Sequence, residues 1–350
     1  MALGGGRNAY FEYTNRNKRG IAIDLGKKSG KEIVYRLVKT SDVFVQNFRQ
    51  GVGEKLGLDY KTLCQHNPRL IYANASGWGS KGKESGEPTF DLLGLARSGI
   101  MNAITEPGLP PLRLSGGIAD QMGAIMLSYG ILAALLARER SGVAQEIDSS
   151  HLGSMITLQG LHLAFVCALG QEIPKLSRDA VANPLWSHYR CRDGKWICLA
   201  HLQADRYWPS FCRAIGREDW GKDPRFANAM AREKSSREII KVLDEVFATR
   251  TAKEWMEHLK SQGDFICYIV NTVSDLPNDP QALVNEYIIN YDHPVLGKVK
   301  TVGFPVQFSK TPPSLRCPAP ELGQNTEEVL SEYAGYTWDE IEELKKREVI

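Results

Sequence analysis

Apolar positions recur along the chain in two periods. In "SGKEIVYRLVKT" (Ser29–Thr40), Ile33, Val34, Leu37 and Val38 share one helical face. "GIAIDL" (Gly20–Leu25) before it and "DVFVQNF" (Asp42–Phe48) after it are short runs of the strand kind, and "RLIYANASG" (Arg69–Gly77) is a third, closed by a Gly/Ser loop. Strand, helix, strand at this spacing predicts a parallel, doubly wound sheet. Ligands of such sheets bind beyond the carboxyl ends of the strands. Asn47-Phe48-Arg49 and Ser76–Gly82 fall at such ends.

From Gln121 to Arg138 the pattern is apolar nearly all round, which predicts a buried helix, with Gly142 as the residue that ends it. "QEIDSS" reads as a strand and His151–Leu169 as one further apolar helix. The composition turns polar between Ile173 and Pro184, which marks a domain boundary. Trp186–Gln281 then reads as a smaller α/β unit. It has strands at Lys195–Leu202 and Phe265–Val270, and helices at Arg206–Ile215 and Arg237–Thr249. A third helix opens on the Thr251/Glu254 capping box. Short β runs return in "HPVLGKVKTVGFPVQFSKTPP", and Thr337–Val349 predicts a terminal helix with Trp338, Ile341 and Leu344 inward. The expected fold is α/β, a Rossmann-like parallel sheet in a large domain plus a smaller α/β domain. Residues 1–180 and 291–350 would form the large domain and residues 181–290 the small one.

Charge and composition narrow the function. A chain of 350 residues can bury one large core or two ordinary ones. Forty-three basic against 41 acidic residues leave a formal charge of +2, no footprint for nucleic acid or an anionic membrane surface. The wholly apolar run Ile131–Ala137 is too short to span a bilayer. "MALGGGRNAYFEY" lacks the basic start and apolar core of a signal peptide. Seven scattered cysteines, with no C-x-x-C pair, predict a reducing, cytoplasmic setting. The seven histidines show no H-x-H or H-E-x-x-H spacing, so no metal is expected.

The candidate chemistry starts at "GGIADQMGA" (Gly116–Ala124), where Asp120 stands among glycines and alanines before the apolar helix. Two readings stand side by side. As a helix N-cap it would be worth about 1 kcal/mol. As a nucleophile it would need open space, which its small neighbours leave, and the helix N-terminus would steady developing negative charge. A second candidate is Asn47-Phe48-Arg49, which offers a ring to stack on adenine and a guanidinium to pair with phosphate.

Several stretches make the chain recognisable in order: "NRNKRGIAIDL", "VQNFRQGVGEKLGLDYKTLCQHNPRLIYANASGWG", "FDLLGLARSG", "IADQMGAIMLSYGILAALLARERSG", "KDPRFANAMAR" and "GFPVQFSKTPP". Over essentially its whole length it resembles the class III CoA-transferases, relatives of the formyl-CoA:oxalate and carnitine enzymes. The resemblance implies an enzyme that moves coenzyme A from an acyl-CoA to a carboxylic acid through an aspartyl-CoA thioester. It places the catalytic aspartate on Asp120, ahead of a helix ending R-x-x-[ST]-G. It places coenzyme contacts on Asn47, Phe48 and Arg49, on Ile23, Asp24, Leu25 and Gly26, and on Pro88, Thr89, Phe90 and Asp91. It further implies an interlinked dimer, as a homodimer or a heteromer with a related subunit.

Departures from the family pattern carry expectations of their own. Family members begin with about fifty further residues, so the chain is expected to lack that segment. No glycine-rich flap lies between Gly170 and Gly194, which argues against oxalate as the acceptor. Trp78, Phe90, Met101 and Trp186 lie in segments that could line a pocket for an aromatic or branched acid, or could equally be core. Racemases of the superfamily pair the aspartate with a histidine where this chain has Phe90, so a transferase is preferred. The alternatives are an acyl-CoA racemase or a non-catalytic subunit.

Overall fold

A computed structural model of the chain describes residue 3 and residues 6–350, which divide into two compact units. The first holds the chain up to Thr105, Pro110–Ile173 and Glu286–Ile350; the second holds Glu106–Leu109 and Pro174–Asn285.

The first unit is built on the expected parallel sheet. Strands β1 (Val43–Gln46), β2 (Ile71–Ser76) and β3 (Glu146–Ser150) lie in that order, with β1 and β3 both parallel to β2. The centre of β2 is sealed, since Ile71, Tyr72 and Ala73 are buried. Helix Lys28–Thr40 leads into β1, and its apolar face enters two cores. Val38 joins Leu58, Leu63, Leu70 and Tyr72, while Ile33 packs with Leu330, Ile341 and Leu344 of the terminal helices Thr326–Ala334 and Trp338–Lys346. Trp338 was expected inward but opens the last helix on its solvent side, 60% exposed.

Three further expectations give way. Gly20–Leu25 is not a strand. Its backbone takes single bonds from the far end of the chain, with Asp24 N–H donating to Val349 carbonyl at 2.8 Å and Gly20 carbonyl accepting from Asn325 N–H at 2.8 Å. With those partners the run lies outside the sheet, and Ile23 packs beside the terminal helices.

The helix read as buried runs over Ile118–Ser141, ends at left-handed Gly142, and buries only the seam Ala119, Leu127, Ala134 and Arg138. Ile125, Tyr129, Leu132 and Leu136 on its other side are exposed. By length and composition alone this 24-residue helix could cross a membrane, yet its seam packs on β2 and β3. The stretch His151–Leu169 breaks at Gln159 into His151–Leu158 and Gly160–Leu169, bent by 82°. At the break the Gln159 amide donates to the carbonyls of Ser98 and Met155.

A hairpin of β7 (Ile288–His293) and β8 (Gly297–Val302) also belongs to this unit. Its buried His293 accepts from Val295 and Leu296 N–H at Nδ1 and faces Glu12 with Nε2 at 3.2 Å.

The second unit carries an antiparallel sheet of β4 (Trp186–Arg190), β5 (Trp196–Ala200) and β6 (Cys267–Ile269). Strand β4 alternates inward Ser187 and Tyr189 with exposed neighbours. Its core gathers Trp208, Phe211, Ile239, Leu243, Phe247 and Trp255 from helices Ala204–Ala214, Ser236–Phe247 and Ala252–Gln262. The Thr251/Glu254 capping box forms in both directions.

Candidate active site

The carboxyl ends of the parallel strands open into one cleft of about 1080 Å³ in the first unit. Asn47, Phe48 and Arg49 line it beyond β1, and Ser76 and Gly77 at the end of β2. Pro88, Thr89 and Phe90 line it from the following loop, and Asp120 and His151 from the helices on either side of β3. Gly77 is required where the two loops meet, because a Cβ there would lie 2.1 Å from Thr89 Cγ2.

Asp120 sits in the first turn of the long helix, and it is not the cap. Left-handed Gly117 is the N-cap residue and offers no side chain. Asp91, 29 positions earlier, supplies the cap instead: its Oδ1 accepts from Ala119 N–H at 2.7 Å and from Asp120 N–H at 3.2 Å. The Asp120 carboxylate is thereby released from the helix and remains 57% exposed to the cleft. Its Oδ1 lies 3.1 Å from His151 Nε2. Partial burial raises its pKa above the usual aspartate value; His151 opposes the rise and the nearby charge of Asp91 adds to it.

The small residues around Asp120 have a structural reason beyond room for a substrate. A Cβ on Gly123 would stand 3.3 Å from His151 Cδ2. One on Gly94 would stand 3.0 Å from His151 Cβ and 3.1 Å from Ala119 Cβ. Together they form the seat of the imidazole. Among seven histidines without metal-ligand spacing, no local motif singles out His151. The available signal was its place directly after β3, at a strand's carboxyl end.

The other expected contacts are placed as follows. Asn47, Phe48, Arg49, Pro88, Thr89 and Phe90 come together in the cleft with Asp120, whereas Asp91 stands behind it as the helix cap. Ile23, Asp24, Leu25 and Gly26 do not line the cleft. Ile23 and Leu25 pack against two cores, and Asp24 Oδ1 accepts from Gly26 N–H at 2.8 Å. Of the aromatic and sulfur side chains suggested for an acyl pocket, Phe90 lines the cleft. Met101 packs beside Leu95 and Met155, Trp78 lies under the Arg97 guanidinium, and Trp186 belongs to the second unit.

The family model described as CoA-transferase family III matches residues 2–326. The chain belongs to this family. As a class III CoA-transferase it has relatives with differing acids in their names. It is 32% identical to "(R)-2-hydroxy-4-methylpentanoate CoA-transferase" of Clostridioides difficile, over 98% of this chain and 85% of that protein. It is 29% identical to "Cinnamoyl-CoA:phenyllactate CoA-transferase" of Clostridium sporogenes, over 97% and 82%. The crystal structure of a CAIB/BAIF family protein from Brucella suis superposes with a TM-score of 0.85 at 27% identity, covering 95% of this chain and 86% of that one. The family match begins at residue 2 and lends no support to the expectation of about fifty missing residues. This class III CoA-transferase transfers CoA between an acyl-CoA and an acid.

Proposed function

We propose that transfer runs through Asp120 as nucleophile. The observation that carries this is the cap: because Asp91 takes the N–H groups of Ala119 and Asp120, the Asp120 carboxylate faces a cleft at the strands' carboxyl ends, with His151 as its only hydrogen-bonding or oppositely charged side-chain neighbour among the described residues. One carboxylate oxygen attacks the thioester carbonyl carbon of the donor, the C–S bond breaks, and CoA thiolate leaves with the electron pair. The resulting mixed anhydride is attacked at the Asp120 acyl carbon by the thiolate, which releases the donor acid as its carboxylate and leaves an aspartyl-CoA thioester. The acceptor carboxylate reverses both steps. No net proton moves, and the exchange is divided into steps of lower barrier.

Asn47, Phe48 and Arg49, with Pro88–Phe90 opposite, suit the coenzyme in this reading: Phe48 offers a ring and Arg49 a guanidinium. Ile23–Gly26, implied by the family resemblance, lie outside the cleft and are not assigned to the coenzyme. We assign the first unit as the CoA-binding catalytic domain and infer a branched or aromatic acceptor acid. The relatives' names and exposed Phe90 in the cleft support that choice. We further infer a cytoplasmic enzyme, with no metal, working as a dimer. The exposed apolar side of the long helix favours such assembly.

The racemase reading is weaker. Two-base racemisation needs its bases on opposite faces of a carbon, and Asp120 and His151, 3.1 Å apart, leave no room for one between them. The test is CoA exchange between acyl-CoA and free acid: Asp120→Asn is expected to lose at least about 10³-fold in kcat with the fold intact. Exchange within tenfold of wild type would refute the role.

A further inference from the structure

If Asp120 becomes an acyl group, negative charge must develop on its own oxygen each time its acyl carbon is attacked. This happens when the CoA thiolate attacks the anhydride and again when the acceptor carboxylate attacks the thioester. In each addition the C=O of Asp120 opens to a C–O⁻, and it closes again as the leaving group departs with the electron pair: the donor carboxylate in the first case, the CoA thiolate in the second. A donor aimed at that oxygen lowers both barriers.

The helix N-terminus is the obvious source of such a donor, and three of its N–H groups are engaged elsewhere. The N–H groups of Ala119 and Asp120 are already taken by the Asp91 carboxylate, and Gln121 N–H by the Gly117 carbonyl. His151 is the side chain that stands beside the carboxylate, with Nε2 3.1 Å from Oδ1. The other ring nitrogen, Nδ1, is buried without a hydrogen-bond partner among the described residues. A proton there would be uncompensated, so the tautomer that fits carries it on Nε2, the nitrogen nearer Asp120. Gly94 and Gly123 leave no room for a bulkier neighbour on two sides of the ring, which holds the donor in place.

We propose that His151 is a catalytic residue: its Nε2–H is the oxyanion donor for the enzyme's own Asp120 acyl group. The inference rests on Asp120 being the nucleophile, and it assigns Oδ1 as the oxygen that stays with the enzyme while Oδ2 makes and breaks bonds.

Reach decides the test. The side-chain amide nitrogen of glutamine sits near the Nε2 position of histidine, whereas that of asparagine sits near Nδ1 and falls short of Asp120. His151→Gln and His151→Asn are therefore compared with wild type for melting temperature, steady-state exchange, and the rate at which Asp120-CoA thioester accumulates with acyl-CoA alone. His151→Asn is expected to lose about 10²-fold in kcat and in thioester formation, with KM for acyl-CoA within about threefold; His151→Gln should stay within about tenfold of wild type. Equal rates in the two variants, near wild type or equally lost, overturn the proposal, as does a loss confined to KM. If wild type forms the thioester at Asp120 and the variants behave alike, this proposal alone fails. If wild type forms no thioester at all, the reading of Asp120 fails and takes this one with it.

Discussion

Arg138 ties the far end of the long helix to the sheet, and its removal should be felt throughout the first unit. Its guanidinium, on a side chain only 7% exposed, donates to Arg69 carbonyl at 2.9 Å ahead of β2 and to Asp42 Oδ1 at 2.7 Å ahead of β1. In Arg138→Ala the Arg69 carbonyl is orphaned, which costs about 1–3 kcal/mol. The Asp42 pair adds only about 0.5 kcal/mol, because that carboxylate is largely solvated. The two buried methylenes lost, Cγ and Cδ, contribute about 0.8 kcal/mol each, part of which relaxation recovers. The sum is a loss of about 3–4 kcal/mol, read as a lower urea midpoint at unchanged m-value by circular dichroism. Arg138→Lys, which keeps the stem and one donor, should recover roughly half. A loss below about 1 kcal/mol in Arg138→Ala would refute the anchoring role and leave the first arginine of the helix's R-x-x-S-G ending without a structural reason.

Two further outcomes follow from the cleft. In the proposed mechanism Asp120 works ionised, and its pKa is raised, so kcat/KM should fall on the acid side at a pH above the ordinary aspartate range. Asp91→Asn keeps an oxygen to cap the helix but removes a charge that raises the Asp120 pKa, so the acid limb should move to lower pH; a limb that stays or rises contradicts the coupling. Phe48→Ala and Arg49→Ala should each raise KM for acyl-CoA about tenfold with kcat nearly unchanged, and an unchanged KM in both would remove the coenzyme from the β1 end of the cleft.

What was legible in the sequence was local. The apolar spacing of Ile33, Val34, Leu37 and Val38 sufficed for helix Lys28–Thr40, and the Thr251/Glu254 box lies within four residues. The β1 and β2 segments were short apolar runs with polar tips, so the cleft at their carboxyl ends followed from the sheet rule. The misreadings share a different cause. Gly20–Leu25 has strand composition, but its partners are Asn325 and Val349, some three hundred positions away. The long helix is apolar on all sides, yet composition cannot say which side meets the sheet, and Tyr129 and Leu132 do not. The two readings of Asp120 could not be separated because the residue that decides between them, Asp91, lies in another helix. His151 meets Asp120 only once β3 and the long helix are both in place.

The most direct test of covalent transfer through Asp120 is to mix the enzyme with acyl-CoA and no acceptor, quench in acid, and map the adduct by peptide mass spectrometry. The account predicts one CoA in thioester linkage on the peptide carrying Asp120, discharged when an acceptor acid is added. Full exchange activity with no adduct, or with the adduct on another residue, would contradict it.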